Sequence, residues 1–357
     1  MSKGTERSSS SHPVLGETRA DGAVLSAGAS PEVPAGASPE VPAAAAEPAA
    51  GLPGARPVET VADLLDAARR QGLRLTTDHA DFDRSGLDFL VVHARDDEGV
   101  PWIVRTPRRP DVVESARVEA RVLELIRPRL PVAVPHWRVY APDVIAYPRL
   151  DGTPAVTIGA AGAPSWNIVD PSAPSEVFLD SFARVLAALQ AVPPEAAERA
   201  GVPVKTIAEE RDAVRLSVQQ TRSVLAPSDA VWARWQRWLD DDALWPKHVA
   251  LAHADLHPGH MLLAPDGQMV GVLDWTTAMV TDPSMDLAMF CGCFGKGALE
   301  SFLPRFERAG GRTWPRLADH AAERWAVFPA LAAEWALRTG NEAVLEHARG
   351  MLAQVTA

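Results

Sequence analysis

Cysteine is almost missing: 357 residues hold two, Cys291 and Cys293, with one glycine between them. They are too close for an ordinary structural disulfide and too few for a cysteine-built zinc site. Both read as small packing residues in a reducing compartment. No uninterrupted apolar run approaches the ~18 residues that a membrane span needs, and the N-terminus lacks the apolar stretch of a secretory leader. Basic charge is in deficit as well. The formal net charge is −11 and the pI about 5.4, which argues against nucleic acid as a partner and suits a cationic small molecule. These absences together predict a soluble, cytoplasmic protein that binds neither nucleic acid nor membrane, with a monomer as the expected state.

What is present divides unevenly. Hydrophobic residues make up 47% of the chain, enough for two domains and a sizeable core. Residues 1–52, however, contain no aromatic side chain, and Ala27–Pro34 (AGASPEVP) repeats at once as Ala35–Pro42. Such an Ala/Pro/Ser/Gly stretch buries too little surface to offset chain entropy, so a disordered tail, dispensable for chemistry, is expected there. Beyond it, apolar spacing predicts a helix over 60–70, strands over 73–77, 88–95, 102–105, 139–140 and 144–147, and a helix over 112–125. Helices are predicted over 177–191, 206–224, 228–240, 297–309, 314–339 (interrupted at Pro329) and 342–354, with Trp232, Trp235 and Trp238 packing on one helix face. Everything after about residue 176 reads as helical except one hairpin. The organisation expected is a tail over 1–52, a nucleotide-binding lobe over 53–150 ending in a hinge, and a helical lobe over 151–357.

That hairpin carries the strongest signal. The run His253-Ala254-Asp255-Leu256-His257-Pro258-Gly259-His260 is followed by an apolar strand, the turn Pro265-Asp266-Gly267, a second apolar strand and then Asp274-Trp275. Folding about Asp266-Gly267 sets His260 opposite Asp274. Side chains directly opposed on paired strands have Cβ atoms roughly 4.5–5.5 Å apart. An imidazole and a carboxylate that converge beside a third, free carboxylate, Asp255, form a layout suited to phosphoryl transfer.

From about residue 58 onward the chain resembles the macrolide 2′-phosphotransferases, within the antibiotic-phosphotransferase branch of the protein-kinase-like fold. The resemblance rests on Ser85-Gly86-Leu87-Asp88-Phe89, Arg105-Thr106-Pro107-Arg108-Arg109-Pro110-Asp111, Leu130-Pro131-Val132-Ala133-Val134-Pro135, Ile145-Ala146-Tyr147-Pro148 and the stretch from His253 to Asp286. It implies an α+β, bilobal fold with a small antiparallel β N-lobe and a larger helical C-lobe. It also implies transfer of a γ-phosphate from GTP, with ATP as a second donor, to the 2′-hydroxyl of a macrolide's amino sugar, inactivating the antibiotic.

By the same resemblance Asp255 is the catalytic carboxylate, accepting the hydroxyl's proton and aligning its oxygen. His260 and Asp274 hold the metal. Aminoglycoside kinases usually place asparagine where this chain has His260, as the macrolide enzymes do; Mg²⁺ is expected, with some appetite for Mn²⁺ because a nitrogen ligand suits that ion better. Kinases also hold nucleotide phosphates with a lysine, and none occurs between Lys3 and Lys205. Arg105 is the expected replacement, oriented by Glu119. Ser85 and Gly86 would contact a phosphate, and Ala146 and Tyr147 would read the purine edge through main-chain groups. His253 reads as a loop anchor and His257 as a hydrogen-bonded loop residue.

The substrate pocket should be broad and apolar with carboxylates at one end. Met279, Met285, Met289, Phe290 and Phe294 are its candidates, flanked by Asp282 and Asp286, the latter with an alternative role in bracing the catalytic loop. Three competing readings are a kinase acting on an aminoglycoside or other small hydroxylated metabolite, a zinc hydrolase using His253, Asp255, His257 and His260, and a catalytically silent kinase-like binding module.

Overall fold

The structure, a computed structural model, describes residues 58–83, 88–158 and 164–356. The expected tail, and with it Ser85 and Gly86, lie outside these residues.

Helix α1 (Val61–Arg70) starts at Thr60, whose hydroxyl accepts the Asp63 N–H at 3.2 Å while the Asp63 carboxylate accepts the Thr60 N–H at 2.8 Å. Reciprocal capping satisfies two donors that a helix start would leave unpaired. Strands β1 (Phe89–Arg95), β2 (Pro101–Pro107), β3 (Val139–Ala141) and β4 (Val144–Pro148) form one antiparallel sheet in the order β1-β2-β4-β3, with α2 (Pro110–Ile126) inserted after β2. Strand alternation decides what each face carries. Trp102, Val104, Val144 and Ala146 pack beneath α1, whereas Phe89, Ile145 and Tyr147 pack with Val112 and Ala116 of α2. The strand expected over 73–77 reduces to a single bridge, Thr76 to Arg95, followed by a second isolated bridge from Asp83 to Val91. Between them the Thr77 hydroxyl donates to the His93 carbonyl at 2.8 Å, a side-chain bond taking the place of a ladder.

The chain then crosses directly into the second lobe. Strand β5 (Thr153–Pro154) adds to the edge of the predicted hairpin, β9 (Met261–Leu263) with β10 (Met269–Val272), and β6 (Val156–Ile158) pairs with β7 (Pro164–Trp166). Helices α3 (Glu176–Gln190), α4 (Pro194–Arg199), α5 (Ile207–Leu225) and α6 (Asp229–Asp240) follow. Strand β8 (Ala250–Ala252) precedes the hairpin, and β11 (Met279–Thr281), α7 (Met285–Phe294), α8 (Lys296–Arg308), α9 (Leu317–Thr339) and α10 (Glu342–Leu352) complete the lobe. The expectation of helix alone outside the hairpin fails at β8 and β11, which pair antiparallel. Ala250-Leu251-Ala252 is buried on both sides and therefore shows no alternation to read. Helix α9 runs unbroken through Pro329.

Two cores share the helical lobe. Phe182, Phe290 and Phe302 stack at the centre of one, among α3, α7 and α8. Trp235 and Trp238 anchor the other between α6 and α9, with Trp232 at its edge, as the three-residue spacing predicts. Cys291 and Cys293 are buried and unbridged. The outcome is an α+β, two-lobed molecule: a sheet-bearing lobe over a helical one.

Candidate active site

Strand β8 delivers the chain to His253, and the turn after β11 holds what comes next. Ala254 takes a left-handed backbone (φ 68°), which an L residue adopts only when its surroundings impose it. The surroundings here are the Asp286 carboxylate, which accepts the N–H groups of both His253 (3.0 Å) and Ala254 (2.9 Å). Burial pushes the Asp286 carboxyl up to about 6 against the pull of these two bonds. Asp286 thus braces the loop.

His253 is fully buried, and burial, with His260 nearby, holds its imidazole down at about 4. Its Nδ1 accepts the Asp255 N–H (3.3 Å), so its one proton lies on Nε2 and is donated to the Leu273 carbonyl (2.8 Å). The base of the loop is thereby tied to the end of the hairpin.

The hairpin register is one residue off the expected pairing. An irregularity between Met269 and Gly271 shifts the ladder, so Val272 faces Met261 and the Leu273 N–H donates to the His260 carbonyl (2.9 Å). Asp274 nevertheless turns back toward His260 through its own left-handed backbone (φ 54°), and its carboxylate accepts the Thr276 hydroxyl at 2.6 Å. His260 ends between two carboxylates: its Nε2 lies 3.7 Å from Asp274 and its Nδ1 3.9 Å from Asp255. Burial alone would raise the Asp274 carboxyl; His260, Thr276 and Arg105 pull it down to about 2. At Asp255 burial wins, lifting the carboxyl to about 7, with Asp274 and Asp286 adding to the rise and His260 opposing it. The Asp255 side chain keeps 39% exposure, so this burial is crowding by neighbouring protein, and a substrate can still reach the oxygens.

Hydrogen bonds sort the candidate metal ligands. Asp255, His257 and His260 offer ligand atoms within 4.8 Å of one another. Yet His257, which burial keeps unprotonated, accepts the Gly259 N–H on Nδ1 (3.0 Å) and so carries its proton on Nε2. His253 is committed at both nitrogens. His260 alone of the three donates from Nδ1, to the Asp255 carbonyl (3.0 Å), which leaves Nε2 facing Asp274, a ligand atom once it gives up its proton. A nitrogen lone pair and a carboxylate oxygen at this spacing fit one divalent ion, and the four-ligand zinc cluster does not form.

Arg105 projects from β2 toward α2 and is nearly buried. It bonds Glu119 at 2.6 Å, with its guanidinium 4.1 Å from the Phe89 ring centre, 5.1 Å from Trp137 and 5.7 Å from Tyr147. Burial lifts the Glu119 carboxyl to about 7 although Arg105 opposes it, and pushes the Tyr147 hydroxyl up to about 12. The Arg105 Nε and one Glu119 oxygen are buried without a hydrogen-bond partner. Asp274 also acts on Arg105 and Glu119, so the pair stands beside the hairpin's end.

Three sequence candidates are corrected by their surroundings. Ala146 lies in a strand paired on both sides, to Val104 and Val139, and its carbonyl accepts the Arg138 N–H (2.8 Å), so it offers no main-chain edge to a base. Asp282 is fully buried, bonded to His320 at 2.7 Å and to the Ser284 N–H at 2.9 Å, and Phe290 stacks inside the core; neither lines an open wall. Met279 is half-buried opposite Ala252, one residue before His253, and half-buried Phe294 packs on Trp166 and Phe178. Sequence reasoning assigns no site role to Phe89, Trp137 or Thr276. Thr276, two residues beyond Asp274, carries an Asx-turn spacing that points to it; Phe89 sits in a motif of the resemblance without a role, and Trp137 gives no local signal.

The phosphotransferase enzyme family matches residues 79–320. A solved macrolide 2′-phosphotransferase type I is 40% identical, with TM-score 0.75, over 85% of this chain and 99% of that one. The macrolide 2′-phosphotransferase MphH from Brachybacterium faecium is also 40% identical, with TM-score 0.73, over 82% and 98%. Uncharacterized protein YcbJ of Bacillus subtilis (strain 168) is 38% identical over 80% of this chain and 93% of its own length.

Proposed function

Since this chain belongs to the phosphotransferase enzyme family, as a kinase acting on a hydroxyl group, we propose that it carries the γ-phosphate of GTP to the 2′-hydroxyl of a macrolide's amino sugar and so confers resistance. The observation behind the reading is that the carboxylates of Asp255 and Asp274 both come within 3.9 Å of the His260 ring at the end of one hairpin.

Asp255 receives the proton of the acceptor hydroxyl while the acceptor oxygen bonds to the γ-phosphorus and the bridging oxygen leaves with the nucleoside diphosphate. A carboxyl near 7 is matched to that task at neutral pH. His260 Nε2 and Asp274 would hold a divalent cation, Mg²⁺ or Mn²⁺, which supplies neutralising charge at the nucleotide's phosphates when bound. Arg105, kept in place by Glu119 and its aromatic box, is offered to the nucleotide's phosphates, its Nε being unpartnered though buried. Tyr147 supplies a wall of that box, and Met279 and Phe294 are offered to the acceptor side. Like its two solved relatives, the chain is given a macrolide as acceptor in this reading. ATP is the second donor to test.

The test is mass spectrometry of erythromycin and azithromycin incubated with the protein, Mg²⁺ and either GTP or ATP. A gain of one phosphate is expected with GTP. No gain with either nucleotide removes the macrolide reading, and a gain with ATP alone removes the donor.

A further inference from the structure

Beneath the catalytic loop lies a second buried polar cluster that takes no part in the mechanism above. Asp282, directly after β11, accepts from His320 Nε2 at 2.7 Å and from the Ser284 N–H at 2.9 Å, and its Oδ2 lies 3.4 Å from the Arg324 guanidinium. Arg324 continues to Glu210 on α5, and Glu210 to Lys205 at 3.3 Å. His320 is boxed by the rings of Trp238, Trp245 and Trp314; Trp238 Nε1–H donates to its Nδ1 at 3.0 Å, which puts its proton on Nε2 facing Asp282. Asp282, His320, Arg324 and Glu210 are each almost wholly buried.

As a stabiliser this assembly is a poor choice, since buried ion pairs are commonly replaced by well-packed apolar groups with little or no loss. Its location suggests another use. Asp282 fixes the turn that opens α7, and the first turn of α7 carries Asp286. Asp286 in turn holds Ala254 in a backbone state it would otherwise leave, one residue before Asp255. A displacement of the Asp282 turn is passed through two hydrogen bonds to the catalytic carboxylate.

We propose that Asp282, His320, Arg324 and Glu210 are positioning residues, a buried brace that ties α9 and α5 to the turn carrying Asp286 and thereby sets the place of Asp255. The inference deepens the phosphotransferase reading and rests on it for its effect on turnover, so the test has a readout that does not.

Hydrogen–deuterium exchange of the His253 and Ala254 amides is measured in wild type, His320→Ala and His320→Gln, with the β9 strand amides as internal reference. In His320→Ala, exchange at 253–254 is expected to rise about tenfold while β9 is unchanged. His320→Gln, which restores a donor toward Asp282, should recover most of the protection. In the same variants kcat for phosphate transfer is expected to drop on the order of 10–100-fold for alanine, with nucleotide KM held within about twofold, and to recover with glutamine. Unchanged exchange at 253–254, or a uniform rise across the lobe, overturns the brace. The local exchange response in the variants, together with a wild type that phosphorylates no macrolide, leaves the brace standing and overturns the acceptor instead.

Discussion

The molecule buries two arginine–carboxylate assemblies, and they are built to opposite specifications. Arg105 and Glu119, between the sheet and α2, have one hydrogen bond between them, aromatic faces around the guanidinium and polar atoms left over on both partners. Asp282, in the helical lobe, collects a histidine, a backbone N–H and an arginine. Burial therefore wins at Glu119, lifting it to about 7, and loses at Asp282, whose carboxyl His320 and Arg324 hold far below the usual carboxylate range. Donor count, not depth, separates them. The Glu119 pair stands next to Asp274 with its carboxylate poorly served; the Asp282 carboxylate is fully paired, although Arg324 Nη1 and the Ser284 hydroxyl beside it are buried without a hydrogen-bond partner.

The largest effect belongs to the chemistry both assemblies serve: Asp255→Ala should lower kcat by about 10³-fold or more while nucleotide binding, read by titration calorimetry, survives. Retained turnover in that variant would dismiss Asp255 as the base. Next, Arg324→Met removes the cation shared by Glu210 and Asp282, leaving Glu210 only Lys205 and Asp282 only His320 and the Ser284 N–H, and should cost about 3 kcal/mol of unfolding free energy in urea. Arg105→Met should cost far less stability, because a Glu119 already near 7 picks up a proton when its partner goes, yet should reduce kcat on the order of 10²-fold and raise nucleotide KM. Equal stability losses in these two variants would erase the distinction drawn above.

The smallest test is a pH dependence. Glu119 has a folded value above its unfolded one, so between about 4.5 and 7 the native state binds the extra proton. Its contribution to stability is full below 4.5 and lost as pH rises toward 7, by on the order of 2–3 kcal/mol. Urea midpoints of wild type minus Glu119→Gln should fall over that window. His253 runs the other way: held down at about 4, it contributes stability above 6.5 that disappears as pH falls through that range. A flat difference for Glu119→Gln would mean that its carboxylate is as well served as Asp282.

How much of this was legible followed sequence distance. Asp255, His260 and Asp274 lie within one hairpin, so the motif and its turn residues announced them together. The bulge at Val270 did not show, because a single-residue shift leaves the apolar pattern intact while moving every pairing. Glu119 could be matched to Arg105 because only one helix follows that strand. Asp282 could not be matched to His320 and Arg324, which are some forty residues away on a helix whose inward face looks like any other core stripe. Its Met/Phe neighbourhood instead suggested a pocket, and that misplaced Phe290 as well. Ile145–Pro148 pointed to the right strand, but pairing on both sides of Ala146 is a property of the sheet that no short window contains.

The imidazole of His260 donates to the backbone oxygen of Asp255, the very residue whose carboxylate is proposed to take the acceptor's proton. Editing the Asp255 side chain leaves that oxygen where it was, so the cation seat should outlive the loss of the base. An insertion or a proline in the same loop would unmake both at once, which divides the mutations this enzyme can survive as a silent nucleotide binder from those that leave it nothing to bind with.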